Sequence, residues 1–223
     1  MNKKNILIIS PHPDDMEIGM GGTAAKFVTR EFNVISFVVT DGRRSTGNYT
    51  EDEMAQIRKG EAQNAARILG IEDLIFLGLK DVKSPENQKE LRRRLRDITD
   101  QFGPAELFIT HPKIDKHPTH RAVSKLVMEI IEGMHRDKLL PPLRIWCYEV
   151  WTPFWKYDWI EDISGYINVK TAAIDAHKSQ IEYKNYTQGI RGLNRYRAVF
   201  HSTSGVTSMK YAEVFMEIPL PSS

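Results

Sequence analysis

The chain has 223 residues, 41% hydrophobic and 27% charged, a balance that supports a buried core and excludes a collagen-like or wholly disordered protein. Lys and Arg number 31 against 29 Asp and Glu, a formal charge of +2, so nucleic acid is not an expected partner. The single cysteine, Cys147, excludes an intramolecular disulfide framework and a multi-cysteine zinc site, and a cytoplasmic protein is the expectation.

At the N-terminus only four consecutive apolar residues precede Pro11, too few for the apolar stretch of a signal peptide. No later run approaches the roughly 20 residues of a membrane span. Asn5 to Ile9 reads as a strand buried on both faces, and Phe32 to Val39, Leu74 to Leu77 and Glu106 to Ile109 read the same way. Helical stripes lie between and after them. Ala24, Ala25, Phe27 and Val28 form the first, and Met54, Ile57, Ala65, Ile68 and Leu69 the second. Leu91, Leu95, Ile98 and Phe102 form the third, which Gly103-Pro104 stops. Ala122, Val123, Leu126, Val127, Ile130 and Ile131 form the fourth. Past Pro141-Pro142 the rhythm loosens: Arg144 to Trp151 reads as a strand, Val169 to Gln180 as a helix and Tyr211 to Ile218 as a closing strand.

Strand and helix in alternation predict parallel strands joined by right-handed crossovers. The expected fold class is α/β, a Rossmann-like three-layer sandwich with a mostly parallel sheet and a smaller C-terminal αβ portion. No repeat or low-complexity linker interrupts it, so residues 1–223 are expected to form one domain. Its core would span about residues 1–140 and the C-terminal portion about 141–223.

Two loops carry chemistry. Ser10-Pro11-His12-Pro13-Asp14-Asp15-Met16-Glu17 follows the first strand, where a doubly wound sheet opens into its ligand crevice. One aspartate there could simply cap the next helix; two aspartates and a proline-flanked histidine exceed what a cap needs. Thr110 to His120 follows the fourth strand and holds three histidines and an aspartate. With strand order 3-2-1-4 the two loops are neighbours, although about a hundred residues apart in sequence. Imidazoles and a carboxylate meeting there make the ligand set of a catalytic zinc site with a position left for water.

These residues resemble a known family. His12-Pro13-Asp14-Asp15 with its Gly-rich continuation, and His117-Pro118-Thr119-His120, look like the two signatures of the LmbE/PIG-L zinc-dependent N-deacetylases. The likeness continues through Arg58-Lys59-Gly60-Glu61, Leu77-Gly78-Leu79-Lys80-Asp81, Asp162-Ile163-Ser164, His177-Lys178-Ser179-Gln180 and Tyr211-Ala212-Glu213-Val214-Phe215. The resemblance implies a hydrolase that removes an N-acetyl group from an N-acetylglucosamine-type sugar. His12, Asp15 and His120 would be ligands to Zn2+, or to another divalent cation such as Fe2+. Asp14 would be the general base and His117 the polarising or acid group, with Arg58 and Asp81 on the sugar. The partner would be the N-acetylated amino sugar, and the resemblance leaves room for a homo-oligomer. Thr119 stands where the family commonly has Asp, and Met16, followed by Glu17, where it often has Glu.

Other residues weigh both ways. Arg58 and Glu61 could be a surface ion pair, though Glu61 falls on an apolar stripe where a bare carboxylate is costly. Asp81 is as readily a turn residue as a substrate contact. Arg43 and Arg44 could receive an anionic substituent of the substrate. The tryptophans Trp146, Trp151, Trp155 and Trp159 could stack on sugar, with core packing favoured for most, and the spacing leaves His177 and His201 undecided. Gly19-Met20-Gly21-Gly22 does not fit the dinucleotide fingerprint, which weighs against a nucleotide-binding module. A different metal-dependent hydrolase and a non-catalytic metal-binding module would also use histidines and carboxylates in these two loops.

Overall fold

The computed structural model describes residues 3–45, 47–140, 143–201 and 208–220. The break expected at residues 141–142 lies outside them. The elements in chain order are β1 (Asn5–Ser10), α1 (Asp15–Thr29), β2 (Asn33–Thr40), α2 (Glu51–Leu69), β3 (Asp73–Leu79), α3 (Pro85–Phe102), β4 (Glu106–Thr110) and α4 (Pro118–Arg136). There follow β5 (Arg144–Tyr148), β6 (Trp159–Asp162), α5 (Ile167–Asp175), α6 (Lys178–Ile181), α7 (Tyr186–Phe200) and β7 (Ala212–Glu217).

The seven strands form one sheet in the order β3-β2-β1-β4-β5-β7-β6. β1 to β5 run parallel, and β7 pairs antiparallel with both β5 and β6. Alternation along β1 shows why both of its faces are apolar. Leu7 and Ile9 enter the core shared with Leu91, Leu95, Val123 and Val127 of α3 and α4. Ile6 and Ile8 enter the core on the other side, with Met20 and Ala24 of α1 and Ala65 and Leu69 of α2. The sheet is therefore the middle layer of three, as the α/β reading expects.

Local chemistry sets the helix ends. Thr50 and Glu53 form a reciprocal capping box at the start of α2, and Gly70 closes it in the left-handed region. Ser84 caps α3, Pro85 opens it, and Gly103 ends it at φ 54°, the stop the sequence predicts.

The glycine run has a packing cause. A Cβ on Gly19 would lie 2.2 Å from Tyr148 Cδ2, and one on Gly22 would lie 2.8 Å from Ile163. Helix α1 kinks at Met20 (φ −144°). The buried Glu213 of β7 accepts from the amides of Gly22 and Thr23, at 3.0 and 2.7 Å, and from Lys170 Nζ at 2.6 Å. The carboxylate thus takes up donors that the kink frees, and a buried cation balances its charge.

The C-terminal part departs from expectation. The strand read over residues 144–151 stops at Tyr148, because Glu149 turns aside into a buried pair with Arg197. The helix read over residues 169–180 is two pieces, α5 and α6, broken at His177 (ψ 59°). β6 and α7 are additional. The four residues of β6 are only half-buried, and α7 contributes few buried apolar side chains, so neither produces a strong apolar period.

Candidate active site

Pairing of β1 with β4 in parallel brings the loop after β1 against the loop after β4. His12 and Asp15 come from the first. His117 and His120 come from the start of α4, where His117 is the N-cap residue and Pro118 opens the helix. His12 Nδ1 lies 3.0 Å from His120 Nε2, Asp15 Oδ2 is 3.2 Å from His12 Nδ1, and Asp15 Oδ1 is 3.1 Å from His120 Nε2. These three separations are close to the about 3.3 Å edge of a tetrahedron around an ion with bonds of about 2.0–2.1 Å. His117 stands beside them: one nitrogen from each of His12, His117 and His120 fits within 4.8 Å.

The electrostatics call for positive charge at this point. His120 is fully buried; burial would lower its pKa, yet Asp15 and Asp115 raise it to about 10. Burial alone would raise the pKa of Asp15, but His120 and His12 hold it far below the usual carboxylate range. A divalent cation would replace the proton that His120 otherwise retains. His117 behaves in the opposite way. Burial and the neighbouring His120 and His12 depress its pKa to about 4, so near neutral pH its ring is uncharged. Its Nδ1 is buried without a hydrogen-bond partner among the described residues, and its ring stacks on Trp151 at 6.0 Å.

Asp14 is the N-cap residue of α1 but makes no capping hydrogen bond with its side chain. Instead Arg58 Nη2 donates to Asp14 Oδ1 at 2.5 Å, both groups being largely buried. Arg58 is itself held by Ser45 Oγ at 2.7 Å and by the carbonyl of Gly42. Asp14 Oδ2 has no hydrogen-bond partner among the described residues, and Asp14 and Arg58 both line the cleft. Arg58 is therefore first of all the group that orients Asp14. Glu61, on the next turn of α2, is satisfied elsewhere, accepting from Ser179 N and Oγ, both at 2.7 Å, and so anchors α6.

Asp81 lines the cleft and also closes its own turn by accepting from the amide of Lys83 at 2.8 Å, which lowers its pKa. Arg43 lines the cleft too, but its guanidinium is occupied by Asp41 and Asp52, each at 2.7 Å. His111 is structural: its Nδ1 accepts from the amides of Lys113 and Ile114, both at 3.1 Å. Of the tryptophans only Trp151 reaches the cleft. Trp146 and Trp159 pack in the core beside Phe215, and Trp155 is 83% exposed.

Sequence reasoning missed Tyr186, Lys184, Lys80 and Lys83 as cleft residues. Tyr186 and Lys184 stand at and just before the start of α7, which carried no strong signal. Lys80 and Lys83 flank Asp81, so the end of β3 was the available clue. The role of Asp115 was also missed. It accepts from the amides of His117 and Trp151, at 2.7 and 3.3 Å, and its Oδ2 lies 3.3 Å from His120 Nδ1, an ion-pair contact.

Residues 7–131 match the GlcNAc-PI de-N-acetylase (PIG-L) family. A diacetylchitobiose deacetylase of Thermococcus kodakarensis is 29% identical over 79% of this chain and 70% of its own. A probable N-acetyl-alpha-D-glucosaminyl L-malate deacetylase 2 of Bacillus anthracis is 28% identical over 82% of this chain and 84% of its own. The solved N,N'-diacetylchitobiose deacetylase of Pyrococcus horikoshii, complexed with its inhibitor MPG, superposes with a TM-score of 0.80 at 27% identity. That match covers 98% of this chain and 85% of the other.

Proposed function

Because this chain belongs to the GlcNAc-PI de-N-acetylase (PIG-L) family, we propose that it is a metal-dependent hydrolase that removes the N-acetyl group from an N-acetylglucosamine-type sugar or conjugate. The observation that carries the reading is the triangle of His12, Asp15 and His120 with an oriented, uncommitted carboxylate oxygen on Asp14 beside it. We assign His12, Asp15 and His120 as the ligands of Zn2+ or another divalent ion such as Fe2+. When bound, such an ion supplies a Lewis acid and makes water acidic enough to lose a proton near neutral pH.

Asp14 Oδ2 takes that proton, while Arg58 on Oδ1 holds the carboxylate in place. The same oxygen then delivers the proton to the departing amine. His117, being neutral, stabilises charge on the acetamide oxygen as an N–H donor. Trp151 holds the plane of that ring. Arg58 and Asp81 bound the space for the sugar. The buried, unpaired thiol of Cys147 suits a cytoplasmic setting.

The test is amine release from a panel of N-acetylated amino sugars by metal-reconstituted protein, paired with elemental analysis. Asp14→Ala should retain the metal and lose about 10²–10⁴-fold in kcat. Asp15→Ala and His120→Ala should lose the metal itself. Full turnover by Asp14→Ala with normal metal content removes Asp14 from this role.

A further inference from the structure

The cleft above His12, Asp14 and His117 measures about 480 Å³, within the range of sites that enclose a whole small molecule. Its outer wall is cationic. Six basic side chains line the cleft against three carboxylates, and the pairings show which cations are already committed. Arg58 is held by Asp14, and Arg43 by Asp41 and Asp52.

Arg44, Lys80, Lys83 and Lys184 remain, all of them exposed. Arg44 lies 3.7 Å from Glu51, both groups being well exposed, and its charge also acts on Asp81. The ammonium groups of Lys80 and Lys83 have no carboxylate partner among the described residues. Lys184 Nζ stands over the Trp151 ring at 4.7 Å. Asp81, the carboxylate on that wall, is turned toward the amide of Lys83. Because β2 and β3 pair in parallel, the loops after them place Arg44 beside Lys80 and Lys83, and Lys184 enters from the segment before α7. Like charges gathered on one concave wall repel one another until an anion arrives, and the concavity focuses their field.

We propose that this wall is a subsite for an anionic substituent, carboxylate or phosphate, carried by the acetamido sugar. The substrate class is then an acidic N-acetylglucosamine conjugate in preference to a neutral oligosaccharide. This rests on the deacetylase reading above. Ammonium groups suit either anion, each offering three donors on a flexible stem.

The experiment compares kcat/KM of metal-reconstituted protein on N-acetylglucosaminyl malate, N-acetylglucosamine 1-phosphate and N,N'-diacetylchitobiose. At least one acidic substrate should be preferred over the neutral one by about tenfold, the size of effect that a few exposed ion pairs sum to. The preference should reside in KM and shrink as salt rises from about 20 mM to about 0.5 M. Which acidic substrate leads identifies the anion bound. In the double variant K80A/K83A, both positions being exposed, the ratio should fall toward one. Equal kcat/KM on all three substrates overturns this inference and leaves the deacetylase reading standing, as does a preference that neither salt nor K80A/K83A alters. No amine release from any of them overturns the reading and the inference together.

Discussion

Asp115 has the shape of a supporting group for the triangle. Its carboxylate accepts the amide of His117 at 2.7 Å and lies against His120 Nδ1 on the side of the ring away from Asp15. In metal sites an outer carboxylate of this kind fixes the ring orientation of a ligating imidazole and raises its basicity. Between His117 and His120 the chain carries the uncharged Thr119. Here Asp115, four residues earlier, brings a carboxylate against His120. Asp115→Asn can keep the shorter bond, from the His117 amide to Oδ1, and gives up the longer one from Trp151 to Oδ2, while metal affinity should fall about 10–100-fold. Competition with a chelator measures that directly. Unchanged affinity would show Asp115 to be a turn residue alone.

Helix α1 carries the two aspartates into place, and the closeness of its approach depends on the absence of side chains. Gly19 faces Tyr148 and the carbonyl of Glu149, 2.2 and 2.6 Å from where a Cβ would sit. Gly19→Ala must push the helix off β5, at a cost of about 1–3 kcal/mol, to be read by urea unfolding. Because Asp14 and Asp15 ride on the same helix, turnover should fall with stability.

The break between α5 and α6 is a second element-level device. His177 is buried there 3.8 Å from Glu17 Oε1, with neither ring nitrogen in a hydrogen bond among the described residues. Burial lowers its pKa, but the charge of Glu17 outweighs burial and raises it. A raised folded-state pKa contributes stability that is complete below the unfolded value of about 6.5 and is lost as pH climbs through the folded value. Wild type should exceed His177→Gln in melting temperature by more at about pH 6 than at about pH 9. A gap that widens with pH would contradict the pair.

At the scale of the molecule, the site joins β1 to β4 across about a hundred residues, so an ion held there ties together segments that unfolding separates. At about 100 times its dissociation constant, an ion that binds only the folded state adds about 2.7 kcal/mol. For a chain of this length that is roughly 5–10 °C in melting temperature. Thermal scans with and without chelator should show that shift in wild type and none in Asp15→Asn. Among the described residues no helix is long and apolar enough to cross a membrane.

Local patterns carried the first 140 residues. The double-sided strands, the stripes of α1 to α4 and the stop at Gly103 follow from apolar period and turn chemistry, which act over a few residues, and the adjacency of β1 and β4 follows from the winding rule for such a sheet. The same holds for the two loops, because His12, Asp14 and Asp15 follow the end of β1 and His117 and His120 lie in the loop and first helical turn after β4, where a parallel sheet opens its crevice. Past β5 the helices and strands are short and half-buried, so period fails and α7, with Tyr186 at its start, was invisible. Which charges are committed is a further matter. Arg58 to Asp14, Glu61 to Ser179, Arg43 to Asp41 and Asp52, and Glu213 to Lys170 pair groups whose order along the chain says nothing about their distance. The chain by itself determined the architecture and the chemical types gathered at the crevice. The folded arrangement alone decided which carboxylates and which cations are paired with one another, because charge pairing depends on separation in space and on burial.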